Sequence, residues 1–451
     1  MPGHALNHRL RTYAALALLT LASAGPTLLA GCFRRGGKDG TAVVEAWIWG
    51  EPTEARLFKE AIREFDASRP DVLVRIEHVG GDAARKMRVA LAGGAAGDVL
   101  MVHWTSMPVL GEGGVLLPLD EFIRQDQLDT EDFYPVGLEA YRCYGHQYAM
   151  PIKGSTMIVY YNKTLFARFG VSEPTAQWTH EDFLTAAKAL TRDTDGDGRN
   201  DLVGCMPYDY TSWVWSFGGR FVSEDGQRSM LLDPKTLAGL QFYCDLRNKH
   251  RVTPREMNAV GADMTNLYNF ESGRIAMSIG GPWWLPKYQQ IKPPDPARPD
   301  LLTRFAWDVA PFPKCPAGRQ IRYAGVGLCI NKRTRHPRQA WDLVKFMCSR
   351  RGGAIMAQAG SDLPPRRSVA RSPAFLREGT PWREEVFVES MDEPIRVFPP
   401  YAWWAKARVR IADQVELALL GDVSVREAMT RADKQLTTIL VEASAEDRSQ
   451  H

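Results

Sequence analysis

Between residues 42 and 102 the spacing of apolar side chains switches repeatedly between two periods, and this constrains the fold more than any other feature. Residues 42–49 form an apolar, β-branched run that reads as a buried strand. Over 52–66, Leu57, Phe58, Ala61, Ile62 and Phe65 recur at helical spacing; Pro52 suits a first helical turn and Pro70 blocks continuation. Residues 72–79 alternate as a second strand, 83–91 read as a helix ended by Gly93-Gly94, and 99–102 as a third strand. A strand–helix–strand–helix–strand order predicts a parallel sheet with helical crossovers.

The rest of the chain repeats this mixture. Strands are expected at 148–152, 157–161, 274–279, 305–309 and 326–330, and helices at 180–190, 234–249, 264–272, 337–348, 405–420 and 424–443. Thr179 is placed to cap the helix from His180, with Asp182 as the acid of a capping box. Four prolines in 293–299 mark a loop.

Ahead of all this lies a segment with Arg9 and Arg11, then an apolar run from Tyr13 to Leu21 that is too short to span a bilayer. Leu29-Ala30-Gly31-Cys32 follows, and small residues before a cysteine resemble the lipobox of bacterial lipoproteins. That resemblance implies a signal peptide over 1–31, lipidation of Cys32 as the first mature residue, a flexible tether over 32–40 and an extracytoplasmic protein in the cell envelope, anchored to a membrane by lipid only. Lysine and arginine number 56 against 53 aspartates and glutamates, without a clustered basic excess, so nucleic acid is not an expected partner. Six further cysteines are scattered without metal-ligand spacing, which points to buried free thiols in a chain with this much core.

Several short motifs, taken in order, resemble bacterial extracellular solute-binding proteins of the carbohydrate type, which serve ABC importers. These are Gly97-Asp98-Val99-Leu100, the run from Gly113 to Asp120, Tyr148-Ala149-Met150-Pro151, Tyr160-Tyr161-Asn162-Lys163, and Trp178-Thr179 with Asp182-Phe183. Phe270 to Met277 followed by Gly281-Pro282-Trp283 is the most specific of them. The resemblance implies an α/β, two-lobe periplasmic-binding-protein-like fold of type II, each lobe a mostly parallel sheet flanked by helices, joined by a hinge. Lobe one is expected over 41–155 plus 311–363 and lobe two over 156–310 plus 364–451, with crossings near Ser155, Pro311 and Pro365. It also implies a monomer that captures a sugar or oligosaccharide, delivers it to ABC permease subunits, and is not an enzyme.

Thirteen tryptophans are many for this length, and several follow strand ends, where open α/β sheets bind ligands. Trp49 and Trp104 are candidates on that ground and Trp213, ahead of Gly218-Gly219, is a further one; the family resemblance adds Trp283, Trp403 and Trp404. Indoles offer flat apolar faces to sugar rings, while polar neighbours select hydroxyls, and Glu51, Asp209, Tyr210, His103 and Lys153 are placed to do so. The other reading of each tryptophan is core packing. Asp193, Asp195, Asp197 and Asp201 have the spacing of a calcium loop with Gly198 at its sixth position, but position twelve is Gly204 instead of glutamate. The loop is either a structural calcium site or a polar turn; no other cofactor is expected. A secreted carbohydrate-active enzyme and a ligand-presenting partner of a membrane sensor are the alternative functions, although no nucleophile elbow, Walker loop or zinc helix is present.

Overall fold

The computed structural model describes residues 41–208, 210–255, 270–298, 300–378, 380 and 382–449. The signal peptide, Cys32, the tether, Asp209 and residues 264–269 of the helix expected at 264–272 lie outside these residues, and Phe270–Ser272 form a 3₁₀ turn.

Nine strands carry the two main sheets: β1 (Ala42–Ile48), β2 (Val72–His78), β3 (Val99–His103), β4 (Ala149–Ser155), β5 (Ile158–Asn162), β6 (Val203–Met206), β7 (Ile275–Gly280), β8 (Trp307–Pro311) and β9 (Ala324–Ile330). The first sheet runs β2-β1-β3-β9-β4 and the second β8-β5-β7-β6. In β1, Val44, Ala46 and Ile48 point into the core. The helix Pro52–Ser68 starts on Pro52 and covers that face with Leu57, Phe58, Ala61, Ile62 and Phe65. The helix Ala83–Gly93 is capped by the Asp82 carboxylate, which accepts from the Arg85 amide at 3.1 Å, and ends where Gly94 turns to φ 70°. In the second lobe Thr179 and Asp182 form the expected capping box: the Asp182 amide donates to Thr179 Oγ1 at 3.2 Å, and the Thr179 amide donates to Asp182 Oδ2 at 2.8 Å.

The sheets are mixed, a correction to the expectation of mostly parallel ones. β1 pairs in parallel with β2 and β3, but β9 is antiparallel to both β3 and β4. In the second sheet only β6 and β7 are parallel, while β5 is antiparallel to β7 and β8. The antiparallel strands are those the chain uses to pass between lobes. β4 leaves the first sheet at Ser155 and β5 enters the second at Ile158; β8 leaves at Pro311 and β9 re-enters the first at Ala324. A chain that leaves a sheet and re-enters it at the same end runs back in the opposite direction, without the helical crossover that parallel pairing needs.

The third passage lies later than Pro365. The Arg366 guanidinium lies 4.1 Å from the Phe133 ring centre and is paired with Asp132 at 3.2 Å, which keeps 366–370 on lobe one. Arg383 is the residue that reaches the second sheet, bonding Asp308 at 3.1 Å. The closing helices Trp403–Leu420 and Val425–Ser449 pack on each other and on Pro234–Asn248 in lobe two. All six described cysteines are buried free thiols.

Candidate functional site

A cleft of about 1090 Å³ lies between the lobes, and it is lined mainly by segments that follow the carboxyl ends of strands. From lobe one come Trp49 and Glu51 after β1, His103 at the end of β3, and Lys153 in β4. From lobe two come Tyr208 and Tyr210 after β6 and Trp283-Trp284 after β7. The helix Trp403–Leu420 adds Trp404 and Arg408.

Local sequence explains how the two indoles reach the cleft. Pro282–Trp284 is a single 3₁₀ turn after Gly280-Gly281. A Cβ on Gly281 would fall 2.0 Å from the Trp283 ring, and one on Gly280 would fall 2.5 Å from Trp284 Cδ1. Both indoles thus fold back over bare backbone, which only glycine permits. The Gly281 carbonyl accepts from Tyr160 Oη at 2.8 Å, which pins the turn to the second sheet. Trp283 is half-buried, with its ring centre 6.1 Å from that of Tyr208. Tyr208 holds φ at +51°, a left-handed conformation uncommon for a residue with a side chain and typical of functional sites.

Of the other expected residues, Trp49, Glu51 and Tyr210 border the cleft; Trp49 is oriented by its indole N–H, which donates to the Met101 carbonyl at 2.9 Å. Trp404 is buried but borders the cleft and a smaller cavity beside it. The expectations for Trp213 and Trp403 are corrected, and Trp104 lines a different cavity from the cleft. Trp213 is fully buried in the core of lobe two, 4.7 Å from Phe312 and 4.9 Å from Phe242 between ring centres, because the short helix Thr211–Ser216 is enclosed on all sides. Trp104 is 2% exposed, stacks on Phe398 at 4.9 Å and borders only the smaller cavity. Trp403 borders neither; it stacks on Tyr401 at 5.4 Å with the rings 10° from parallel.

Sequence reasoning named Lys153 but missed the two carboxyls that it meets at the inner wall. Lys153 Nζ lies 2.6 Å from Glu54 Oε1 and 3.4 Å from Asp362 Oδ2, and Ser361 Oγ donates to the same Glu54 oxygen at 2.5 Å. Burial alone would raise Glu54, but the lysine charge and its hydrogen bond outweigh it and hold this carboxyl below its usual range. Burial likewise opposes the charge on Lys153, and the two carboxylates more than offset that. Asp362 is pushed up to about 6, chiefly by burial and further by the Glu54 charge, against the pull of Lys153. His103 is pushed down to about 3 by burial and by the charges of Arg322 and Arg408, so it is neutral near pH 7. Its Nδ1 lies 2.8 Å from Thr105 Oγ1 and 3.4 Å from the Thr105 amide, which orients the ring.

The aspartate-rich turn lies outside the cleft. Carboxylate oxygens of Asp193, Asp195 and Asp197 lie within 4.8 Å of one another and are exposed. Asp193 accepts the Gly196 and Gly198 amides at 2.7 and 2.9 Å, while Asp201 does not join the cluster and accepts the Thr194 amide at 2.6 Å. No helix among the described residues is long and apolar enough to cross a membrane.

The sequence profile described as "Bacterial extracellular solute-binding protein" matches residues 49–354. A putative binding protein of Brucella abortus is 24% identical over 383 residues, covering 83% of this chain and 89% of that protein. A maltotriose-binding protein of Pyrococcus abyssi is 26% identical over 244 residues, covering 54% of this chain and 50% of that protein. An ABC substrate-binding protein of Listeria monocytogenes, solved in complex with cycloalternan, superposes with a TM-score of 0.76 at 22% identity over 88% of this chain and 98% of its own. That likeness shows the two-lobe fold.

Proposed function

The chain belongs to the bacterial extracellular solute-binding proteins, and from that premise we propose that it captures a sugar or oligosaccharide outside the cytoplasm and hands it, chemically unchanged, to the permease subunits of an ABC importer. The observation that carries this reading is the cleft between lobes, with the indole faces of Trp49, Trp283 and Trp284 set beside charged and hydroxyl groups. Apolar ring faces rest on indole, and Glu51, His103 and Tyr210 offer hydrogen-bonding groups to hydroxyls. Trp283 arrives from lobe two and Trp49 from lobe one, so a ligand that touches both favours the closed arrangement over the open one. A thermal-shift screen against mono- and oligosaccharides tests this: a ligand of the folded state raises the melting temperature, by about 2.7 kcal/mol of stabilisation at a hundredfold excess over Kd. No shift with any saccharide overturns the reading.

One observation favours hydrolysis, namely two cleft carboxyls, Glu54 and Asp362, pushed apart in acidity. Lys153 Nζ bonds both, however, so the pair is bridged by a cation and not set on either side of a free space. Chromatography of the ligand after incubation returns it intact in the binding reading and cleaved in the enzymatic one.

The signal segment and Cys32 assign a lipid anchor. Cys32→Ser is expected to move the protein from the membrane to the soluble fraction, because each buried acyl methylene contributes about 0.8 kcal/mol. Unchanged fractionation would remove Cys32 as the anchor. For the loop at 193–198, the backbone amides that already fill the Asp193 carboxylate favour a self-closed turn with no cofactor. Titrating calcium into chelator-treated protein is expected to give no heat at millimolar concentration; a saturable heat lost in Asp195→Asn would instead assign a structural calcium.

A further inference from the structure

Beside the main cleft lies a second cavity of about 270 Å³, room for about nine waters at roughly 30 Å³ each. Lobe one walls it with Trp104, Met107 and Tyr144, and lobe two with Phe398 and Trp404. At its rim the lobes are tied: Tyr144 Oη accepts from the Ala402 amide at 3.1 Å and donates to Glu112 Oε1 at 3.2 Å. Arg408 borders both cavities.

Arg408 has an exposed side chain with no ion pair or hydrogen bond among the described residues; its one recorded contact is with Phe398, whose ring centre is 6.0 Å from the guanidinium carbon. Three carboxyls that line the cleft are committed elsewhere. Asp413 pairs with Arg410 at 3.8 Å, and Glu54 and Asp362 share Lys153. Arg322 borders the same cleft, donating to the Tyr323 carbonyl at 3.3 Å, and its charge, after burial, holds Arg408 below the ordinary arginine range. His103, also at the cleft, is neutral. Among the described residues, the inner-wall carboxyls Glu54 and Asp362 are therefore gathered on Lys153, while Arg408 at the cleft has no carboxylate partner. A guanidinium in a half-enclosed site pairs best with a planar or tetrahedral oxyanion.

We propose that the ligand is an acidic saccharide, one that carries a carboxylate or a phosphate, whose anionic group is held by Arg408 while a further ring occupies the side cavity. This rests on the saccharide-binding reading above and narrows it to a substrate class. The side cavity is faced by Trp104 and Trp404, which makes it suited to a ring, and both lobes build it, so occupation would also hold them together.

The test is calorimetric titration of the intact mature protein with a panel of neutral, uronic-acid and phosphorylated mono- and disaccharides, repeated with Arg408→Gln and Arg408→Lys. The expected result is an acidic member that binds at least about tenfold tighter than its neutral analogue, as one charge-assisted hydrogen bond supplies. That preference shrinks with added salt, is erased in Arg408→Gln and is partly kept in Arg408→Lys, with melting temperatures unchanged because the side chain is exposed. The uronate and phosphate arms distinguish the two sources of the anion. Neutral members that bind as well as acidic ones, or a preference that survives Arg408→Gln, would overturn this inference and leave saccharide binding standing. A panel with no binder at all overturns both.

Discussion

Trp283→Ala is expected to weaken saccharide binding by about a hundredfold, or about 2.7 kcal/mol. The indole is half-buried, so one part of it anchors the side chain against lobe two and the rest faces the cleft. Removing it takes away contact area on the lobe-two side of the cleft, and Trp284 beside it is held in its own place by stacking on Tyr288, with ring centres 6.1 Å apart and planes 13° from parallel. The cost to folding should stay near about 1 kcal/mol, since the lost side chain is not a fully enclosed core group. Calorimetry against the saccharide found in the screen, alongside urea denaturation, separates the two effects. An affinity unchanged within twofold would place Trp283 outside the binding surface. Trp213→Ala is the contrast: its indole is enclosed, and its loss should cost about 3–5 kcal/mol of stability.

Lys153→Met is expected to be the most damaging single change at the inner wall, costing about 3–5 kcal/mol of stability. The lysine side chain is 8% exposed and neutralises two carboxyls that have left bulk water. Without it Glu54 and Asp362 face each other uncompensated. Asp362→Asn should behave differently, because it removes a carboxyl whose charge the site holds at a cost. Its folded pKa of about 6 lies above the ordinary aspartate value of 3.8, so between these values the folded protein binds more protons than the unfolded chain. The contribution of Asp362 to stability is therefore full below about pH 4 and declines as pH rises through about 6. Urea denaturation at pH 4, 5 and 7 is expected to show wild type losing ground to Asp362→Asn over that interval. A difference that stays flat with pH, or Lys153→Met as stable as wild type, would mean that the three charges do not act as a unit.

Much of the scaffold was legible in the sequence because its signals are local. The alternation over 42–102 requires only neighbouring residues, and so does the capping box at Thr179 and Asp182. The Gly280-Gly281-Pro282-Trp283 element was legible for the same reason: two glycines must precede indoles that fold back onto their own backbone. Strand direction was less legible. Nothing within β4, β5, β8 or β9 states which neighbour it will meet, and the antiparallel pairings follow from the path between lobes.

The site divides along the same line. By itself the sequence determined that strands and helices alternate, that the chain resembles a sugar-binding family, and that tryptophans cluster after strand ends. Only the tertiary structure decided that Trp283 borders the cleft while Trp213 is enclosed and Trp403 stacks on Tyr401. It alone brought Glu54, Lys153 and Asp362 together from separations of about a hundred residues or more, and left Arg408 at the border of two cavities. The physical reason is that a propensity or a cap is satisfied within a few residues, whereas exposure and charge pairing depend on surfaces that exist only once distant segments have packed.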